Sequence, residues 1–209
     1  SKKGYYYKDE KRNSFSLRLD TLQYEPTGKP KFASLDAAKK VEGLNDKINA
    51  FVKGDDKGAQ LVKRSLAGLF AYVSNRVPEI SDVLYAVDDA LRAGFAWEIG
   101  PFQYWDIVGV QKGIELAEAD GLSIGAWVKE MVAAGNTSFY KVENGVKKFY
   151  DQTSKSYKAI PGAESFIILD NLRSNKPVWK NSGGILHDIG DGVLNLEFTS
   201  KMNSLGGDV

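Results

Sequence analysis

Few side chains in this 209-residue chain combine a reactive type with a useful setting. The only histidine, His187, is one candidate, because an imidazole titrates near neutrality and can act as a general base. It lies in the strand-like run Gly184–Ile189 with Asp188 directed to the opposite face, and reads as a surface or hairpin histidine. Asp55-Asp56, Asp88-Asp89 and Glu115 with Glu118 could pair as carboxylates or hold a metal. Metal-binding loops need several ligands at fixed alternating positions, and no such run occurs, so these acids are expected on solvated helix faces and in N-terminal turns. No serine or lysine sits in a nucleophile elbow or a Ser-x-x-Lys setting. The absence of cysteine excludes disulfides, thiolate metal sites and a cysteine nucleophile. A dinucleotide cradle would need Gly-x-Gly-x-x-Gly between a strand and a helix. Gly183-Gly184 and Gly190-Asp191-Gly192 instead fall in hairpin text with no helix behind them. The sequence therefore assigns no catalytic, cofactor-binding or metal-binding residue.

The elements that would have to position any such group fall into two kinds. Residues 4 to 24 alternate around Asn13-Ser14, with Phe15, Leu17 and Leu19 on one face, which predicts a short strand or hairpin. Pro26, Gly28 and Pro30 mark a linker. Ser34 is a plausible N-cap for a helix in which Leu35, Ala38, Val41, Leu44, Ile48 and Phe51 recur up to Gly54. A second helix is expected from about Asp56 to Arg76, a third started or kinked by Pro78 and capped by Gly94, and a fourth from Pro101. Helical text resumes at Ile114–Ala119, then from Ser123 as N-cap to Gly135. Beyond Gly135 the period shortens. Asn144-Gly145 predicts a hairpin within Phe139–Tyr150, with Ser156–Ile160 as a further partner. Phe166–Leu169 reads as a strand, and Gly184–Ile189 with Val193–Phe198 as a second hairpin.

Composition narrows the classes of function. A net charge of +1 gives no electrostatic reason to expect nucleic acid or an anionic membrane as partner. No apolar run approaches the ~20 residues that span a bilayer, and Ser1-Lys2-Lys3-Gly4 leads into tyrosines rather than a signal-peptide core. The first residue is not Met, and Leu205-Gly206-Gly207-Asp208-Val209 has neither a helix stop nor a polar tail, so the chain is expected to be a piece of something longer.

The aromatic-rich stretch from Asp88 to Gly109 resembles the C-terminal helical domain of 3-hydroxyacyl-CoA dehydrogenases. The likeness covers roughly residues 58 to 120. Its most specific parts are Gly94, Gly100-Pro101-Phe102 and Trp105-Asp106-Ile107-Val108-Gly109, preceded by an acidic position that Asp88 or Asp89 matches. Lys3–Lys8 and Leu19–Pro26 are similar to the version found in long bacterial β-oxidation fusions. There an enoyl-CoA hydratase (crotonase) domain follows, and the last 34 residues look like its opening: Val193–Phe198 resembles the first strand, Lys201–Leu205 the turn after it. The resemblance implies NAD as cofactor, bound by a domain outside this sequence. The family's catalytic histidine lies in that domain, so His187 does not match it. The family also has a functional asparagine in an Asn-Arg pair. Asn75-Arg76 stands only 25 residues before Gly100, a shorter spacing than that asparagine keeps, and Asn75 is expected as a surface cap near a helix end. This chain would then carry a second copy of the helical repeat.

The fold expected is mainly α (α+β overall). It comprises a helical domain of the 6-phosphogluconate dehydrogenase C-terminal-like type over 30–135 and a smaller β-rich hairpin segment. An N-terminal hairpin and linker occupy 1–29, a hairpin and strand 136–175, and a truncated crotonase-like start 176–209. The parent would oxidise (3S)-3-hydroxyacyl-CoA to 3-oxoacyl-CoA with NAD in cytoplasmic fatty-acid β-oxidation, with acyl-CoA as substrate and a possible homodimer through the helical domain. The fragment would shape the site and interfaces without catalysing. The competing expectation is a stand-alone interaction or dimerisation module using Phe95, Trp97, Phe102, Tyr104 and Trp105 as a patch. The tail is expected to join the Phe139–Ile160 hairpin in one sheet.

Overall fold

The computed structural model describes residues 4–162, 166–173 and 176–207. Its elements are helices with small antiparallel sheets, an α+β composition, and the chain divides into two compact units, 1–59 and 60–209.

In the first unit the alternating N-terminal segment forms a three-stranded meander, β1 (Tyr6–Lys8), β2 (Ser14–Leu17) and β3 (Tyr24–Pro26). Tyr7 stacks on Phe15 at 5.0 Å and meets Tyr24 edge-on at 4.9 Å, which ties the three strands on one face. Pro26, expected in a linker, closes β3 opposite Phe15, an edge position where a missing N–H is tolerated. The single helix expected from Leu35 to Phe51 is two: α1 (Ala33–Lys39) and α2 (Leu44–Lys53). Between them Gly43 takes φ +83, a turn that helical periodicity does not register. Ser34 is not the cap, since Phe32 holds that position. Ser34 is buried inside α1, and its N–H and Oγ donate to Asp56 at 2.8 and 2.7 Å.

The second unit is built on α3 (Lys57–Arg76), α4 (Leu84–Phe95), α5 (Pro101–Val108), α6 (Val110–Ala119) and α7 (Ala126–Ala133). Its core is aromatic. Trp105 is fully buried, stacks on Phe70 at 4.7 Å and lies 5.0 Å from Phe139, which in turn meets Phe102 at 4.9 Å. The indole Nε1 donates to the Val110 carbonyl at 2.9 Å across the α5–α6 bend. Gly113 is required beside it, because a Cβ there would stand 2.1 Å from that nitrogen.

Three helix boundaries depart from expectation. Pro78 neither starts nor kinks a helix: the Val77–Pro78 bond is cis and α4 begins at Leu84. The left-handed residue that ends α4 is Ala96 (φ 53, ψ 35), not Gly94. The turn sits where the tertiary path needs it, although a non-glycine in this conformation costs about 1 kcal/mol. α7 is capped by Gly125 rather than Ser123. There a Cβ would stand 2.5 Å from the Ser74 carbonyl oxygen, while Gly125 N–H donates to Ser74 Oγ at 3.0 Å.

The β-rich part contains two separate sheets. β4 (Tyr140–Glu143), β5 (Val146–Asp151) and β6 (Ser156–Ala159) form one. Asn144 (φ 53) and Gly145 (φ 75) make its first turn, as the dipeptide requires. Leu169 opens the short helix α8 (Leu169–Leu172), so the expected Phe166–Leu169 strand is absent. The tail pairs with β7 (Trp179–Lys180) instead of the upstream hairpin, giving the order β7–β8–β9 with β8 (Gly184–Asp188) central and β9 (Leu194–Phe198) at an edge. β9 faces the reverse of what hydrophobicity predicts: Leu194, Leu196 and Phe198 are exposed, while Asn195 and Glu197 lie on the covered side.

Candidate functional site

The corner between α4 and α5 is organised by a carboxylate. Gly100, at the N-cap of α5, has no side chain to accept the free N–H groups of the first turn. Asp88, in α4, supplies the acceptor through space: Phe102 N–H donates to Oδ1 at 2.9 Å and Gln103 N–H to Oδ2 at 3.2 Å. Gln103 Oε1 reaches back to Gly100 N–H at 3.0 Å and completes a split capping box. The approach leaves no room for a larger residue, since a Cβ on Gly100 would lie 2.2 Å from Asp88 Cβ. Of the two acids that matched the resemblance, Asp88 reaches the turn. Asp89 is exposed beside Arg92.

A second carboxylate joins this corner to the β4 strand. Asp106 accepts Phe139 N–H at 2.7 Å and Tyr140 N–H at 2.9 Å, and the Tyr140 hydroxyl donates to Asp88 Oδ2 at 2.9 Å. The Lys147 ammonium lies 4.5 Å over the Tyr140 ring. Burial pushes Asp88 up to about 6 and Asp106 up to about 7, with the N–H donors pulling both back down. Burial likewise raises the Tyr140 phenol and lowers the Lys147 ammonium. Carboxylates in this range could exchange protons at neutral pH. Here, however, all four oxygens are engaged by backbone or phenol donors. The arrangement is a clamp that fixes α4, α5 and β4 against one another.

The structure scatters the other candidate residues. Asn75 is no loose surface cap: its Nδ2 donates to the Ala71 carbonyl at 2.7 Å and to the Ser123 carbonyl at 2.8 Å, fastening the end of α3 to the loop before α7. Asp56 caps α3 through Ala59 N–H at 2.9 Å, and Asp55 is exposed. Glu115 pairs with Lys112 at 3.2 Å and Glu118 with Lys129 at 2.6 Å, all on the surface. The aromatic patch divides, with Phe102 and Trp105 fully buried while Phe95 is 72% and Trp97 36% exposed. Among the described residues no three His, Asp or Glu side chains gather as metal ligands. Among the described residues the sheets are antiparallel, and Gly183-Gly184 and Gly190-Asp191-Gly192 lie at the start of β8 and in its hairpin turn rather than before a helix that would receive a pyrophosphate.

His187 lies in the β8–β9 hairpin, one of its two expected settings, but not at the surface. It is 3% exposed, and its Nε2 lies 2.9 Å from Glu197 Oε2, while Arg173 donates to both oxygens of the same carboxylate, Nε to Oε2 at 3.3 Å and Nη2 to Oε1. Arg173 chiefly, and His187 after it, keep Glu197 below its usual range against the effect of burial. The sequence hid this pair because the partners stand ten residues apart across a hairpin. His187→Ala is therefore expected to destabilise the β7–β9 sheet by about 1–3 kcal/mol, the cost of leaving a buried carboxylate with fewer partners. Amide exchange in the central strand β8 reads this directly, and unchanged protection there would refute it.

Over 205 residues, 98% of its length, the chain is 37% identical to a "Probable 3-hydroxyacyl-CoA dehydrogenase" of Bacillus subtilis (strain 168), covering 26% of that protein. Over 141 residues, 66% of its length, it is 23% identical to a "Putative fatty acid oxidation complex trifunctional enzyme" of Rickettsia felis, covering 18% of it. The chain thus spans about a quarter or less of these curated relatives. No family model matches it, and no solved structure matches it significantly.

Proposed function

We propose that this chain is a segment of a 3-hydroxyacyl-CoA dehydrogenase, whose parent oxidises (3S)-3-hydroxyacyl-CoA to 3-oxoacyl-CoA with NAD in fatty-acid β-oxidation. The observation that carries this reading is the 37% identity sustained over 205 residues. The segment's part is architectural. The Asp88–Asp106–Tyr140 clamp and the aromatic core make α4, α5 and β4 one rigid body, fit to shape a substrate cleft or an interface rather than to move protons. Residues 30–135 would be the family's helical domain, of the 6-phosphogluconate dehydrogenase C-terminal-like type. Residues 136–175 would be a connecting hairpin segment and 176–209 the start of a crotonase-like domain, in a cytoplasmic parent that binds NAD elsewhere and pairs through its helical domain. No helix among the described residues is long and apolar enough to cross a membrane.

The test compares two proteins with 3-hydroxybutyryl-CoA and NAD. The full product of the reading frame is expected to form NADH, and the 209-residue chain alone is not. Sustained turnover by the chain alone would place catalytic groups within it. Inactivity of the full protein with this and longer 3-hydroxyacyl-CoA substrates would remove the dehydrogenase reading.

A further inference from the structure

Asn144-Gly145 is the one Asn-Gly pair in the sequence. It makes the tight turn between β4 and β5, where Glu143 pairs with Val146, and both residues hold positive φ, 53 at Asn144 and 75 at Gly145. Asn144 is exposed, and among the described residues neither its side-chain amide nor the Gly145 N–H has a hydrogen-bond partner. An electrophilic carbonyl and a backbone nitrogen thus stand side by side, both unbonded, with no Cβ on the glycine to hinder their approach. Every other asparagine precedes a residue that carries a Cβ. Several are also held: Asn13 donates to Asp9, Asn75 to two carbonyls, and Asn181 accepts the N–H groups of Gly183 and Gly184. Asp120-Gly121 and Asp191-Gly192 offer the same glycine behind a carboxylate, whose negative charge repels a nucleophile.

We propose that Asn144 is a site of spontaneous modification, converting through a cyclic imide to isoaspartate and aspartate, and that the isoaspartate form loosens the β4–β5 hairpin. The Gly145 nitrogen attacks Asn144 Cγ as its proton passes to solvent. A C–N bond forms, and the side-chain nitrogen leaves as ammonia. Water then opens the imide: cleavage at Cγ gives aspartate, and cleavage at the main-chain carbonyl gives isoaspartate. The sum is one water consumed and one ammonia released, with no oxidation or reduction. Either product places a carboxylate next to Glu143 in the chain. Isoaspartate also lengthens the main chain by a methylene inside a turn whose length fixes the register, so the strand ends must shift to absorb it. Space for that shift is small on one side, since a Cβ on Gly145 would stand 3.5 Å from Leu172 Cδ2. The disturbed strand β4 carries Tyr140, whose phenol bonds Asp88, so the change reaches the clamp. The proposal does not depend on the dehydrogenase reading.

The test holds the full 209-residue chain in warm, mildly alkaline buffer and maps it by digestion and mass spectrometry at intervals. The first peptide to gain about 1 Da, the exchange of an amide for a carboxyl, should be the one containing Asn144. Isoaspartate in that peptide should accept a labelled methyl group from S-adenosylmethionine in the presence of an isoaspartyl methyltransferase. The gain should slow in mildly acidic buffer, where the Gly145 nitrogen loses its proton less readily. Asn144→Gly keeps a residue at ease with positive φ, and should abolish the early gain with an unchanged far-UV circular dichroism spectrum. In hydrogen exchange the aged chain should lose amide protection over Tyr140–Glu143, whereas Asn144→Asp, which adds the charge without the methylene, should keep most of it. A first gain at another residue, an equal rate in acid, or the same early gain in Asn144→Gly would overturn the proposal. So would an aged, isoaspartate-containing chain as well protected in β4 as the fresh one, or a loss as large in Asn144→Asp.

Discussion

Trp105→Ala is expected to destabilise the second unit by about 3–5 kcal/mol, the range for deleting a fully buried large aromatic. The indole stacks between Phe70 and Phe102, packs against the tilted Phe139 ring and bonds the Val110 carbonyl, so its loss opens a cavity and orphans a buried acceptor. Gly113, bare because the indole presses on it, cannot fill the space. In thermal unfolding this amounts to a fall of roughly 10 °C for a chain of this size. Trp105→Phe keeps much of the stack and loses the hydrogen bond, so it should cost clearly less. Equal melting temperatures for wild type and Trp105→Ala would mean that the aromatic core does not support the unit.

The second large effect depends on pH. Asp88→Ala removes the acceptor for Phe102 N–H, Gln103 N–H and the Tyr140 hydroxyl, and buried donors without partners cost about 1–3 kcal/mol each. Against this, burial has raised Asp88 from 3.8 to about 6, and its ionisation weighs on the fold. A raised carboxyl means that the native state holds more protons than the unfolded chain. Its stabilisation is therefore complete below about pH 4 and is lost as pH rises through 6 for Asp88 and 7 for Asp106. The cost of Asp88→Ala should be about 3–5 kcal/mol near pH 5 and smaller by about 1.4 kcal/mol at pH 8, because about one unit of the raised carboxyl affinity remains to be lost above pH 5 and each unit corresponds to ~1.4 kcal/mol. Urea titrations of both proteins at the two pH values give the comparison. A gap that widens toward pH 8 would show that Asp88 is ionised in the fold at all these pH values and that its cap outweighs its burial.

The features legible in the sequence are those decided within a few residues. Pro101 opens α5 because its ring presets the first helical φ and its missing N–H has no partner to lose. Asn144-Gly145 turns the β4–β5 hairpin because both residues tolerate positive φ, and Gly184–Phe198 pairs on itself across a turn in which Gly190 and Gly192 take positive φ. Apolar periodicity located α3, the existence of α4 to α7 and the end of α6 at Ala119, but not where α4 ends or where α6 and α7 begin. The tertiary structure decided whatever depends on a distant partner. Asp88 and Asp89 are alike in sequence, yet only the residue facing Gly100 is buried and becomes the cap of another helix. Ser34 looked like a cap and is held inside a helix by Asp56, 22 residues away. In β9 the alternation was plain but its facing was not. His187 and Arg173 pair with Glu197 and draw the polar side inward, turning three apolar side chains outward. Local chain geometry sets which conformations are cheap, whereas burial and charge pairing are properties of contacts between segments, and the order of residues along the chain does not state those contacts.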